Sequence, residues 1–221
     1  MKVELIAFDV AGTTLNDGGV VISSFQNAFK RSEPDLWGHK ANKLTQYAFE
    51  TMGQSKIEVF KALLGDEERA RLAVEEFESA YFDLISIEGV SPIAGVNELF
   101  AALREKGIKI ALTTGFSRKT LNLIIKKAGW EYLIDFSVTP EEAGAGRPSP
   151  LMLQKCAEGL GVSSATTVIA VGDTMADMQA GVAYGAGRVV GVLTGTHSQT
   201  QLFEAGATSV IHSAAEIQTL I

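Results

Sequence analysis

The chain opens Met1-Lys-Val-Glu-Leu-Ile-Ala-Phe-Asp9-Val-Ala11-Gly-Thr-Thr-Leu15, and this stretch decides how the rest is read. Leu5 to Phe8 is a short apolar run that ends at a lone acid, Asp9, followed by Gly12, Thr13 and Thr14, and Val3 to Phe8 would be a first strand. A brief continuous apolar run bounded by turn residues is the pattern of a strand buried on both faces. Such strands belong to parallel sheets, where ligands bind beyond the carboxyl ends. Asp9 stands at such an end.

Working outward, the same rhythm returns from about residue 90. Val96, Leu99, Phe100 and Leu103 fall at helical spacing and lead into Gly107. Ile108 to Leu112 reads as a strand ending at Thr113-Thr114-Gly115, and Ser117 is placed to cap a helix with Leu121, Ile124 and Ile125 on its apolar face. Ile134 to Val138, Val168 to Val171, Val189 to Leu193 and Ser209 to Ile211 read as further strands with helical segments between them. The expectation is an α/β fold with a Rossmann-like, mostly parallel sheet covered on both faces.

Residues 18 to 88 depart from that alternation. Three helical stretches are expected there, at about 20–31, 41–64 and 67–86, with no convincing strand. An all-helical insert after the first strand would be a small cap at 17–88 on a core of 1–16 and 89–221. Short linkers near 15–18 and 87–93 would be its hinges.

Composition excludes several classes. The 221 residues are 46% hydrophobic and 20% charged with a net charge of −7, ordinary for a globular protein, and no basic block points to nucleic acid. No run approaches the roughly 20 apolar residues that span a bilayer. Lys2, Glu4 and Asp9 interrupt what would have to be a signal peptide, and Cys156 is the single cysteine, so a cytoplasmic protein is expected. A homodimer is left open.

Four polar groups sit at expected strand ends: Asp9, Thr114, Arg147 in Glu142-Ala-Gly-Ala-Gly-Arg147-Pro148, and Asp173 in Gly172-Asp173-Thr174, with Asp177 one helical turn later. Singly, each reads as a turn, a helix cap or a solvated loop charge. Together they suit phosphoryl transfer. Asp9 can attack phosphorus. Asp9 and Asp173, with Asp177 nearby, can hold Mg²⁺, a hard ion that takes oxygen ligands. Thr114, Gly115 and the backbone at Gly12 and Thr13 can bind phosphoryl oxygens, and Arg147 supplies fixed positive charge.

This order of motifs resembles the haloacid dehalogenase superfamily, and the helical insert is similar to its cap. Most phosphatases there carry Asp-x-Asp first and a lysine third. Asp9-Val10-Ala11 and Arg147 depart from that and resemble the phosphonoacetaldehyde hydrolase branch, with Asp-x-Ala-Gly-Thr-Thr first and Ala145-Gly146-Arg147-Pro148-x-Pro150 third. The resemblance implies a reason for Ala11. A phosphate ester needs a second carboxylate to protonate its leaving alkoxide. A carbon–phosphorus bond has none, and the family instead forms a Schiff base between a cap lysine and the substrate aldehyde. Ala11 then leaves room and a backbone carbonyl for Mg²⁺. Met52-Gly53-Gln54-Ser55-Lys56-Ile57 is similar to the family's lysine segment, which implies that Lys56 is the imine-forming residue. The family's histidine three residues later is replaced by Val59, and His39, His197 and His212 are not placed by sequence to substitute for it. The leading expectation is a Mg²⁺-dependent hydrolase of a small phosphonate or phosphorylated metabolite, acting through phospho-Asp9. Its rivals are a P–O phosphatase of the phosphoglycolate phosphatase type and a non-catalytic phospho-ligand sensor. A dinucleotide binder is disfavoured, because no Gly-x-Gly-x-x-Gly follows the first strand.

Overall fold

The computed structural model describes residues 2–221. Six parallel strands form the sheet in the order β5-β4-β1-β6-β7-β8, where β1 is Leu5–Asp9, β4 Lys109–Thr113, β5 Phe136–Val138, β6 Val168–Gly172, β7 Arg188–Val192 and β8 Ser209–Ile211. All five residues of β1 are buried, the apolar run Leu5–Phe8 as a strand covered on both faces requires, and Asp9 with it. The strands lie within one or two residues of their expected positions.

Helices cover both faces: α5 (Val96–Glu105), α6 (Arg118–Ala128), α7 (Pro140–Ala143), α8 (Leu151–Gly159), α9 (Met175–Tyr184) and α10 (Gln199–Glu204). Ile6, Phe8, Ile110 and Leu112 join Phe100 and Trp130 in one buried cluster, and Leu5, Ala7 and Ala111 join Met152 and Cys156 in another. Register places Asp9 beside Thr113 and Phe8 beside Val171. The chain segments leaving these strands at Asp9, Thr114 and Asp173 are therefore neighbours.

Between residues 20 and 88 lie four helices, not three: α1 (Val20–Ser32), α2 (Pro34–Glu50), α3 (Lys56–Leu64) and α4 (Glu67–Glu88). The expected helix at 41–64 is two. It starts earlier because Pro34 suits the first helical turn, and it breaks at 51–55, where Gly53 takes φ +85° and Ser55 is extended ahead of α3. Phe25, Phe29, Phe60 and Phe77 interleave at ring separations of 5.0–6.5 Å within this stretch and belong to the same buried cluster as Phe8 and Phe100. The two linkers are not free chain. Leu15–Asn16 (β2) pairs antiparallel with Ser91–Pro92 (β3), tying the start of the insert to its end.

Candidate active site

Three loops of the core converge on Asp9. The turn after β1 is tight. The Gly12 amide donates to Leu15 O at 2.8 Å and the Thr13 amide to Val10 O at 3.3 Å, so the two amides read as phosphoryl donors are engaged within the turn. Gly12 adopts φ +89°, and a Cβ there would press on the Asp173 carboxylate. Thr13 Oγ1 donates instead to Asp173 Oδ1 at 3.1 Å. Thr14 Oγ1 donates to Asp9 O at 3.0 Å, locking the end of the strand.

Asp9, Asp173 and Asp177 are buried, with carboxylate oxygens within 4.8 Å of one another. Burial, and then the charge of Asp9, pushes the Asp173 carboxyl up to about 7. Two buried carboxylates at this separation repel, and a hard dication is what an all-oxygen cluster of this kind accommodates. The two acids after β6 have unequal surroundings. Asp173 accepts one bond from Thr13 and one from the Thr196 amide at 2.9 Å. Asp177 Oδ2 takes both the Thr174 amide, at 3.0 Å, and the Thr174 hydroxyl, closing a capping box at the start of α9, while its Oδ1 is bound by Arg147.

Arg147 is buried between the carboxylates. Its Nη1 lies 2.6 Å from Asp9 Oδ1 and also contacts Asp177 Oδ1, while its Nε has no partner among the described residues. A buried, unpartnered guanidinium N–H beside a buried carboxylate suits an anionic oxygen of a ligand.

The helical insert reaches into this arrangement with the loop Thr51–Ser55, and three glycines permit the approach. A Cβ on Gly53 would collide with the Thr174 hydroxyl, one on Gly146 would lie 2.9 Å from Ser55 Cβ, and one on Gly115 would lie 3.2 Å from Gln54 O. The loop delivers Lys56, the first residue of α3, to a chamber of about 30 Å³ that it lines together with Asp9, Ala11, Thr114 and Arg147. Burial, and then the nearby Arg147 charge, pushes the Lys56 ammonium down to about 8. Its Nζ lies 5.5 Å from the Phe77 ring centroid. Wider clefts flank the chamber. One shares Arg147 with it; the other shares Ala11, Val21 and Met52.

The residues expected from the sequence to serve catalysis, phosphate binding or metal binding thus lie in or against one cluster. Val59 does not face it. Its side chain is buried inside the insert, where Phe25, Ala48 and Thr51 help line the small gap beside Lys56. Three contributors were not foreseen. Thr194 to Thr196 follow β7, with Thr194 Oγ1 donating to Gly12 O at 2.7 Å and the Thr196 amide to Asp173; the strand-end rule that found the other loops would have found this one. Asp17 accepts from the Val21 amide at 3.1 Å and is pushed upward by burial. Glu78, on α4, bonds across to the core.

The family model for haloacid dehalogenase-like hydrolases matches residues 3–185. A phosphonoacetaldehyde hydrolase of Bacillus cereus is 36% identical over 199 residues, covering 82% of this chain and 72% of that protein. Among solved structures, a phosphonoacetaldehyde hydrolase-like protein of Oleispira antarctica superposes with TM-score 0.85 at 24% identity, covering 100% of this chain and 91% of that one. A hydrolase from Pseudomonas syringae gives TM-score 0.84 at 20% identity, covering 99% and 97%. The chain is an enzyme of the haloacid dehalogenase-like hydrolase family.

Proposed function

We propose that this enzyme cleaves the carbon–phosphorus bond of a small aldehyde-bearing phosphonate related to phosphonoacetaldehyde, using Lys56 and Asp9 together, with residues 17–88 as a cap over the core. One observation carries the reading: a lysine brought from the helical insert lines the same small chamber as the strand-end aspartate and the arginine, with its ammonium pushed down to about 8. An amine so poised is a competent nucleophile toward an aldehyde near neutral pH. The similarity to the B. cereus phosphonoacetaldehyde hydrolase supports the same substrate class.

The neutral Lys56 amine adds to the aldehyde carbon and expels water, leaving a protonated imine. An Asp9 oxygen attacks phosphorus, and the electron pair of the breaking C–P bond moves into the iminium, giving an enamine and phospho-Asp9. Protonation of the enamine carbon and addition of water to the imine release the aldehyde and regenerate Lys56. A second water frees phosphate from Asp9. Arg147, with its free Nε–H, holds and neutralises phosphoryl oxygens, and Asp177 orients Arg147. Thr114, buried at the end of β4, faces the same chamber.

Asp9 and Asp173 would hold Mg²⁺ with the Ala11 carbonyl, and Thr13 and Thr196 would orient Asp173. When bound, the ion neutralises charge between the acidic nucleophile and the phosphoryl oxygens.

A phosphatase reading retains one supporting observation: Val59 lies in an apolar pocket beside Lys56, where no titratable side chain takes the place of the family's histidine. Paired assays separate the two. Release of phosphate and aldehyde from phosphonoacetaldehyde by the wild type, abolished in Lys56→Arg, is the expected result. Hydrolysis of phosphate monoesters that Lys56→Arg retains, with no attack on the phosphonate, would establish the other reading.

A further inference from the structure

Helices α7, α9 and α10 share a device at their N-termini. In each, a residue three positions into the helix, Glu142, Asp177 or Gln201, reaches back to the N-cap amide and closes a capping box. Helix α6 has the N-cap, Ser117, whose Oγ accepts from the Thr120 amide at 3.4 Å. It lacks the acid, because the third position is Thr120. The missing carboxylate comes from the helical insert. Glu78 Oε1 accepts from the Ser117 amide at 3.0 Å, and Oε2 accepts from Ser117 Oγ at 2.6 Å and Thr120 Oγ1 at 2.5 Å. A carboxylate at a helix N-terminus is further favoured by the helix dipole.

Glu78 does not act alone. Phe82 and Ser86 follow it at steps of four residues, hence on the same face of α4. Lys119 Nζ lies 4.5 Å from the Phe82 ring centroid, and Lys127 Nζ donates to Ser86 O at 3.1 Å. Helix α4 therefore lies along α6, with the Glu78 grip at the end nearest the chamber.

That grip stands between two parts of the active site. On the core side, Phe116 immediately precedes Ser117 and donates its amide to Thr114 Oγ1 at 3.2 Å. Its ring lies 4.3 Å from Tyr81 and 6.4 Å from Phe77, both on α4. On the insert side, Phe77, next to Glu78, carries Lys56 over its ring. We propose that Glu78 is a positioning residue: by completing the α6 cap from the opposite domain, it holds the helical insert against the core and sets the Lys56 amine in the chamber with Asp9 and Thr114. The inference rests on the imine role given to Lys56 above.

The test compares wild type with Glu78→Ala, Glu78→Gln and Thr120→Val. Three quantities are measured: steady-state kinetics on phosphonoacetaldehyde, hydrogen exchange of the 114–122 segment, and the pH midpoint for acetylation of Lys56 by acetic anhydride, read by peptide mass spectrometry. The charged groups acting on Lys56 are Arg147, Glu78, Asp9 and Asp17. Removing a negative neighbour from an otherwise unmoved amine would lower its midpoint. Release of the insert rehydrates the amine, which raises the midpoint toward the ordinary lysine value of about 10.4. The expected result for Glu78→Ala is faster exchange at Ser117, a raised midpoint, and kcat/KM reduced roughly tenfold or more because fewer molecules are competent. Glu78→Gln and Thr120→Val keep part of the bonding and should fall between, and they carry the test if the alanine variant does not fold. Unchanged exchange at Ser117 with an unmoved or lowered Lys56 midpoint would overturn the proposal. Failure of the wild type to act on the phosphonate would count against the functional reading instead, while exchange and the Lys56 midpoint would still decide the role of Glu78.

Discussion

Arg147 Nη1 lies 2.6 Å from Asp9 Oδ1, both side chains buried, so the cation proposed to bind the phosphoryl group and the proposed nucleophile are held as one unit. A lysine keeps the charge but loses the fork that meets two oxygens at once. Arg147→Lys should fold and lower kcat by roughly 10²-fold, on the scale of removing one preorganised donor. Arg147→Ala should cost at least as much turnover and also lower Tm, because Asp9 and Asp177 are left buried without their partner. Near-normal kinetics in Arg147→Lys would show the fork is not used.

The acidic cluster predicts a metal response with a definite sign in pH. The raised Asp173 carboxyl binds a proton in the folded state up to about 7, whereas the unfolded chain loses it near 3.9. Stability without metal therefore falls as pH rises through that window. Mg²⁺ at about 100 times its Kd should add roughly 2.7 kcal/mol, raising Tm by about 5–10 °C. The shift should be larger at pH 8 than at pH 5. Asp173→Asn should abolish most of it, Asp177→Asn much less, and EDTA should stop turnover reversibly. Asp9→Asn should be folded and inactive.

Gly53 combines φ +85° with direct approach to Thr174. Gly65 has φ +64° and open space around it at the end of α3. Alanine at either position carries about 1–2 kcal/mol of left-handed strain, or roughly 2–8 °C in Tm. Gly53→Ala alone should also lift the Lys56 loop from the core and reduce kcat/KM by an order of magnitude or more. Equal kinetic effects in the two variants would contradict the close seating of that loop.

How far the sequence alone reached follows from what each residue signals locally. The strands were legible because Leu5–Phe8, Ile110–Leu112 and Val168–Val171 are apolar runs punctuated by Asp, Thr or Gly, and the candidate site was legible because those punctuation marks are residues proposed for it. The break in the expected helix at 41–64 was not, since Met52 and Ile57 continue an apolar pattern across Gly53. The pairing of Leu15–Asn16 with Ser91–Pro92 leaves no pattern, because two residues are too few to alternate. Glu78 reads as one more acid on an acid-rich helix; its partners Ser117 and Thr120 lie 39 and 42 residues away.

The lowered Lys56 ammonium predicts the acid limb of the pH profile. Only neutral amine attacks an aldehyde, and a group titrating at about 8 is neutral in about a tenth of molecules at pH 7. kcat/KM should rise nearly tenfold per pH unit below that midpoint and level off above it. In the unfolded chain the amine titrates near 10.4, so unfolding takes up a proton between about 8 and 10.4, and the contribution of Lys56 to stability rises with pH across that window. A flat profile from pH 6 to 8 would mean that no amine of this kind limits the reaction.

The most direct test is trapping. Enzyme mixed with phosphonoacetaldehyde is treated with borohydride and measured by intact mass and peptide mapping. The account predicts a stable adduct of the reduced imine on Lys56, dependent on substrate, absent in Lys56→Arg, and accompanied by loss of activity. Absence of any adduct on Lys56 while the wild type still releases phosphate would contradict the claim that Lys56 carries the chemistry.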